Sequence, residues 1–185
     1  GPDPGPDYMF GWGLANFERA AALMESSASD CINIREFRIS QGETLELTIL
    51  KEPTRQLRAT VCWTDPAGIP PLPAVDPDDP MLVNDIDLRI SSGGTTYLPW
   101  VLDPLNPADA AETGDNIVDN VEQVLVNNAD NGLYTITISH KGTLKDGEQI
   151  VSLVVSGNRA ISANSSVNNQ TIHSSTNFWA HDTLN

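Results

Sequence analysis

The sequence predicts an all-β protein, an antiparallel jelly roll or β-sandwich with a short helix near its N-terminus. Three observations lead to this fold class: short segments of alternating apolar and polar residues recur along the chain, turn signatures separate them, and no helical pattern lies between them. Of the 185 residues, 39% are hydrophobic and 19% are charged, which is typical of a folded globular protein with a real core.

The first element is a predicted helix from Asn16 to Met24. Asn16 is a favourable N-cap, and the alanine, leucine and methionine residues that follow have high helix propensity. Phe17, Ala20, Ala21 and Met24 recur at helical spacing and form one apolar stripe. A single helix behind a Gly/Pro-rich opening is unusual for a β domain, so we expect it to be the end of a unit that lies upstream.

Eight strands are predicted after the helix, because apolar and polar residues alternate there with a period of two. Turn signals at Gln41-Gly42, Gly93-Gly94 and Asn131-Gly132 separate several of them. In chain order, the predicted strands are Ile32 to Ile39, Leu45 to Ile49, Leu57 to Trp63, Leu82 to Ile90, Thr95 to Leu98, Val121 to Val126, Tyr134 to Ile138 and Gln149 to Ser156. The long acidic loops between them are where such a scaffold usually carries binding residues.

The fourth predicted strand, Leu82 to Ile90, carries two carboxylates on one face. Its even-numbered apolar residues are predicted to face the core, whereas Asp85, Asp87 and Arg89 are predicted to face solvent. Two neighbouring carboxylates repel each other unless a cation or hydrogen-bond donors lie between them. The strand therefore has either an ordinary solvated face or half of a metal site.

The same two carboxylates belong to a larger group of acidic and amide side chains. Calcium takes six to eight oxygen ligands from carboxylates, amides and backbone carbonyls, so crowded Asp, Asn and Glu residues match its chemistry. The alternative is a solvated acidic surface with Asx turns, and the residues alone leave both interpretations open. The candidate ligands are Asp85, Asp87, Asp115, Asn116, Asp119, Asn120 and Glu122, with Asp76, Asp78 and Asp79 in a neighbouring loop.

The charge of the chain excludes some classes of partner. Twenty-five acidic residues against ten basic ones give a formal net charge of -15. That charge repels nucleic acids and anionic membrane surfaces, so we expect no nucleic-acid partner. No apolar run approaches the length that crosses a bilayer, so we also expect no membrane span.

No catalytic motif is present in the sequence. The three histidines, His140, His173 and His181, lack a recognisable nucleophile or metal context, and the chain has no GxSxG, no HExxH and no phosphate-binding glycine loop. We therefore expect no catalysis by this chain on its own. For Cys31 and Cys62, a disulfide bridge and two free thiols both remain open.

Several stretches, in chain order, resemble the subtilisin-like serine proteases that carry a C-terminal β-domain. The first, followed by Ala20-Ala21, is similar to the closing segment and final helix of the catalytic domain, and the others are similar to the hallmark strands of the jelly roll that follows it. They are Gly11 to Asn16 (GWGLAN), Trp63 to Pro66 (WTDP), Leu82 to Leu88 (LVNDIDL), Asp119 to Glu122 (DNVE) and Gly132 to Ile136 (GLYTI).

The resemblance implies a non-catalytic C-terminal module of a secreted, extracellular serine endopeptidase. Residues 1–30 would end the catalytic domain, 31–158 would form the β-sandwich, and 159–185 would be a Ser/Asn-rich linker or the start of a further domain. The chain departs from the full family because it lacks the whole Asp, His and Ser triad. The resemblance also implies bound calcium, contact with the protease's own catalytic domain, which the module stabilises, and help with access of the substrate.

A second interpretation belongs to a different functional class. Jelly rolls also serve as calcium-dependent modules that bind carbohydrate or extracellular matrix. Protein and polysaccharide substrates are therefore both expected partners at this point. A row of flat aromatic side chains would favour carbohydrate, and Trp100 is a single weak example.

Overall fold

A computed structural model describes residues 3–27, 33–73, 75, 79–127 and 130–159. These residues form one α-helix, eleven β-strands and a short 3-10 turn. The elements are α1 (Phe17–Ser27), β1 (Ile34–Ser40), β2 (Leu45–Lys51), β3 (Leu57–Trp63), β4 (Ile86–Ser92), β5 (Thr95–Tyr97), β6 (Trp100–Val101), β7 (Glu112–Thr113), β8 (Val121–Val126), β9 (Leu133–His140), the 3-10 turn (Lys145–Gly147), β10 (Glu148–Ser156) and β11 (Asn158–Arg159).

The strands form two antiparallel sheets that pack face to face, and this confirms the predicted fold class. One sheet has the order β1-β10-β3-β8, and the other has the order β11-β2-β9-β4-β5; β6 and β7 pair separately. The eight strands expected from the sequence are β1 to β5, β8, β9 and β10. When these strands alone are numbered 1 to 8 along the chain, the order is 1-8-3-6 in the first sheet and 2-7-4-5 in the second. This alternation of the chain between two four-stranded sheets is the jelly-roll topology.

The core lies between the two sheets and is built from inward-facing residues of seven strands. β3 contributes Leu57, Ala59 and Val61, each fully buried, and the facing strand β4 contributes Leu88 and Ile90, also fully buried. Each valine, leucine or isoleucine side chain that is removed from water stabilises the fold by about 1.5–3 kcal/mol. The predicted inward face of the fourth strand is therefore confirmed.

The opposite face of β4 differs from the prediction. Asp87 was expected to face solvent, but only 7% of the residue is exposed. Lys141 lies over it, with its Nζ 2.9 Å from Asp87 Oδ1. A period of two distinguishes the two faces of a strand but does not show that a neighbouring segment covers the polar face.

Helix α1 begins as predicted but is not packed on the sandwich core. Asn16 Oδ1 accepts a hydrogen bond from the Arg19 backbone N–H at 2.9 Å, which confirms the N-cap. No residue of the helix is buried. At its C-terminal end, Asn33 Nδ2 donates to Ser26 Oγ at 2.6 Å and ties the helix to the first strand.

Three short strands are not predicted by the sequence pattern, and β4 begins later than predicted. Two-residue strands such as β6, β7 and β11 have no measurable periodicity, so only tertiary pairing defines them. β4 begins at Ile86 rather than Leu82, because the backbone N–H groups of Val83 and Asn84 donate to the Asp65 carboxylate instead of to a neighbouring strand.

Some predictions fall outside the described residues. They concern Cys31, the loop residues Asp76 and Asp78, and the linker predicted beyond residue 159. Within the described part of the chain, no helix is long and apolar enough to cross a membrane, in agreement with the expectation of no membrane span.

Candidate functional site

Four of the seven predicted ligands come together with two basic residues in one charged cluster. β4 provides Asp87 and Arg89 and is preceded by Asp85; the other members are Asp115 after β7, Glu122 on β8 and Lys141 after β9. The antiparallel pairing of β4 and β9 places Ile86 opposite His140, so the residues just beyond them, Asp85 and Lys141, are adjacent. The Lys141 backbone N–H donates to Asp85 O at 2.9 Å and fixes this contact.

The Lys141 ammonium group lies among three carboxylates. Its Nζ is 3.1 Å from Asp85 Oδ2, 2.9 Å from Asp87 Oδ1 and 2.9 Å from Asp115 Oδ1. Burial works against the charge of Lys141, but its hydrogen bonds to the carboxylates outweigh this effect and raise its pKa above the ordinary value. The hydrogen bond from Lys141 in turn lowers the pKa of Asp115.

Arg89 is the second cation of the charged cluster. Its Nη2 is 2.8 Å from Asp87 Oδ1 and 2.5 Å from Asp115 Oδ1, the same two oxygens that Lys141 contacts. Its Nη1 is 3.5 Å from Glu122 Oε2. The two cations therefore share the carboxylates of Asp87 and Asp115, and through these ion pairs they tie the loop after β7 to the paired strands β4 and β9.

Glu122 is the most deeply buried acid of the charged cluster, with no exposed surface. Its Oε2 accepts a hydrogen bond from the Leu88 backbone N–H at 2.5 Å, whereas its Oε1 has no hydrogen-bond partner among the residues that the structure describes. Burial raises the pKa of Glu122 to about 8, although the Leu88 hydrogen bond and the Arg89 charge act in the other direction. At neutral pH Glu122 is therefore mostly in its uncharged form. Burial also raises the pKa of Asp85.

The other three predicted ligands lie in turns. Asn116 Oδ1 accepts from the backbone N–H groups of Val118 and Asp119, at 3.0 and 3.1 Å, and Asn116 Nδ2 donates to Asp119 Oδ2 at 2.9 Å. Asn120 Nδ2 donates to the carbonyl of Trp63 at 2.7 Å. These contacts are those of an Asx turn and a strand bridge, two ways in which Asn stabilises loops.

The seven predicted ligands therefore do not form a single metal-binding shell. In the parts of the chain that the structure describes, no group of three or more Asp, Glu, His or Cys side chains is arranged to hold a metal ion. Where three predicted ligands do meet, at Asp85, Asp87 and Asp115, the Lys141 ammonium group lies between them. Calcium binding stays a prediction, and this geometry does not favour it.

Three of the five sequence stretches that resemble one family, residues 63–66, 82–88 and 119–122, contact each other in the fold. The Asp65 carboxylate accepts from the backbone N–H groups of Val83 and Asn84, at 2.7 and 2.8 Å, and from Trp63 Nε1 at 3.3 Å. The Asn120–Trp63 and Glu122–Leu88 hydrogen bonds join residues 119–122 to the stretches that contain Trp63 and Leu88. Residues up to 59 positions apart thus form one hydrogen-bonded framework around the start of β4.

Two members of this region were not found by sequence reasoning. Lys141 was missed, although it is one of only ten basic residues and directly follows a predicted strand. Gln149 was also missed; it is buried, accepts from Asn84 Nδ2 at 2.8 Å and donates to Thr64 O at 3.2 Å. A strand-pairing assumption that set Ile86 opposite His140 would have identified Lys141, but no local pattern indicates Gln149.

No nucleophile–base pair is present among the described residues. His140 is the only histidine there, and its Nε2 accepts from the Gly42 backbone N–H at 2.7 Å, so it holds a turn. Cys62 is a free thiol on β3 and is exposed rather than buried. The ion pairs of the charged cluster join β4 to the segments that carry Asp115 and Lys141.

A second candidate site is apolar and lies at the N-terminal end. We call it the N-terminal apolar surface. It begins with an Asx turn, in which Asp7 Oδ1 accepts hydrogen bonds from the backbone N–H groups of Met9 and Phe10. The side chains of Met9 and Phe10 are exposed. Phe17 is 82% exposed and Leu14 is fully exposed. The surface consists of Tyr8, Met9, Phe10, Trp12, Leu14, Phe17 and Met24, each at least half exposed.

Comparison with known proteins gives no assignment: no family model matches the chain, and no curated protein matches it.

Proposed function

We propose that this chain is the non-catalytic C-terminal module of a secreted subtilisin-like serine endopeptidase. In this proposal, the module stabilises the protease domain that precedes it and aids access of protein substrate. The observation that carries the proposal is the N-terminal apolar surface, which belongs to the same chain as the jelly roll and whose seven side chains are each at least half exposed.

The exposure of this surface supports a docking role. Single exposed apolar residues are ordinary, but seven of them lie within residues 8–24, and exposed apolar residues concentrated in this way are typical of an interface. The helix is also amphipathic, with Phe17 and Met24 on the stripe that was predicted from the sequence. In the proposed protease, the catalytic domain covers this stripe, because the segment that it belongs to resembles that domain's closing helix.

The framework around Asp65 gives independent support. A chance resemblance in five short stretches would not require their residues to meet, yet three of the stretches are hydrogen bonded to one another. Their contacts are structural rather than catalytic, which agrees with a module that supports a protease domain. In this proposal, the catalytic triad lies outside residues 1–185.

The test uses the complete protease that contains this chain. Replacing both Phe17 and Met24 with aspartate puts charge on the proposed interface, so the half-life of proteolytic activity at elevated temperature should fall at least several-fold. Turnover of a small peptide substrate at low temperature should stay within about twofold of the unmodified protease, because no catalytic group is touched.

The matched control is Leu72→Asp. Leu72 is 87% exposed in the loop between β3 and β4 and is not part of the N-terminal apolar surface, so its substitution should leave the half-life unchanged. Equal half-lives for the double variant, the control and the unmodified protease would show that the N-terminal apolar surface docks on nothing, and the proposal would fail. Binding of the purified chain to polysaccharide with no effect on proteolysis would instead favour the carbohydrate-binding interpretation.

A further inference from the structure

We infer that Lys141 is itself the cation of the charged cluster: its ammonium group takes the position among Asp85, Asp87 and Asp115 that a divalent ion would need. The cluster is then held together without calcium and is closed to it. This inference concerns the fold of the module and does not rest on the proposed protease function.

The N–H donors of the Lys141 ammonium group match the carboxylate acceptors around it. A lysine ammonium group has three N–H donors and no acceptor. Lys141 Nζ has one carboxylate oxygen from each of three aspartates within 3.1 Å, so each donor has an acceptor. A calcium ion would have to lie 2.3–2.6 Å from these same oxygens. The ion and the ammonium group cannot occupy that position together.

The pairing of β4 with β9 places Lys141 next to this position. Ile86 pairs with His140 in the β4–β9 ladder, and the next residue, Lys141, donates its backbone N–H to Asp85 O at 2.9 Å. The backbone of Lys141 is therefore fixed beside the first aspartate, and its side chain only has to extend across the outer face of β4. A fixed backbone reduces the conformational entropy lost when the side chain is held among the carboxylates.

Arg89 supplies a second positive charge at the same aspartates. Arg89 Nη2 contacts Asp87 Oδ1 and Asp115 Oδ1, the two oxygens that also receive Lys141. Three aspartates thus face two positive groups of the chain, and the repulsion between the carboxylates is already largely compensated. A divalent ion brought to this site would be repelled by both cations.

The test compares thermal unfolding of Lys141→Met and Lys145→Met in chelator and in millimolar calcium. Methionine keeps the apolar stem of lysine but removes the charge, so Lys141→Met leaves three carboxylates without their central cation. In chelator, its Tm should be about 5 °C or more below that of the unmodified protein. Calcium should then restore part of this loss, because three carboxylates beside the single remaining cation, Arg89, leave a net negative charge at the vacated position. The Tm of the unmodified protein should be the same in both solutions.

Lys145 is the matched control, since it is exposed, lies four residues further along the chain and has no contact with the three aspartates. Its Met variant should behave like the unmodified protein in both solutions. If Lys141→Met does not fold in chelator, refolding in calcium followed by circular dichroism gives the same comparison. The inference is overturned if calcium raises the Tm of the unmodified protein, or if Lys141→Met shows no loss or no recovery with calcium.

Discussion

Replacing Asp65 with alanine is expected to lower the free energy of unfolding by about 3 kcal/mol. Its carboxylate accepts two backbone N–H groups, from Val83 and Asn84, and the Trp63 indole N–H, so one substitution leaves three donors without their acceptor. Hydrogen bonds to a charged group contribute about 1.5–3 kcal/mol each, and they are not additive when one side chain makes all of them. The loss also frees the chain just before β4, where the charged cluster begins.

The control for this prediction is Asp103→Ala. Asp103 also accepts two hydrogen bonds, from the Leu105 backbone N–H at 2.9 Å and from Asn106 Nδ2 at 2.7 Å, but it does so within an exposed loop. When the Asp103 side chain is removed, water can accept hydrogen bonds from the two donors in its place. The substitution should therefore lower the free energy of unfolding by less than about 1 kcal/mol. Urea unfolding of both variants measures the difference. Similar losses for both would mean that Asp65 does not hold the framework of the three stretches.

Glu122 should make the protein less stable as the pH rises through neutrality. Its pKa is about 8 in the folded protein, against an ordinary value of 4.5, so between these values the folded state holds a proton that the unfolded state has released. The folded state therefore binds more protons, and its free energy of unfolding falls by up to about 1.4 kcal/mol per pH unit in that window. Above pH 8 both states have lost the proton and this slope ends.

Urea unfolding between pH 5 and 9, at about 25 °C, measures this slope for the unmodified protein and for Glu122→Gln. Glutamine has nearly the same shape and does not titrate, so the variant should lose most of the slope between about pH 6 and 8. Glu112→Gln removes an exposed carboxylate from β7 and should keep the slope of the unmodified protein. A slope that is the same in Glu122→Gln and in the unmodified protein would contradict the assignment of a mostly uncharged Glu122 at neutral pH.

The sequence was sufficient for features that depend on local pattern. Alternation located the eight main strands, the Asn16 side chain predicted the start of the helix, and Gly93-Gly94 predicted the turn between β4 and β5. Both of these glycines have positive φ values, 56° and 82°, which residues with a side chain rarely adopt. In each case, the residues that determine the structure are adjacent in sequence, so a single chain shows them.

The charged cluster could be predicted only in part, because its geometry depends on contacts between distant segments. Asp85 and Asp87 share a face, as the period of two required, but the cation beside them comes from Lys141, 54 residues after Asp87. Asn116, Asp119 and Asn120 have the right chemistry for a metal, yet local turns use them. Composition identified the acidic side chains; strand register decided which of them meet.

The most direct test of the account is labelling with a fluorophosphonate probe, which reacts covalently with activated catalytic serines. It is applied to the purified chain and to the complete protein encoded by the same reading frame. The account predicts that the purified chain stays unlabelled and hydrolyses no casein, while the complete protein is labelled on one serine outside residues 1–185. A labelled serine within residues 1–185, or no labelling of the complete protein, would contradict the account.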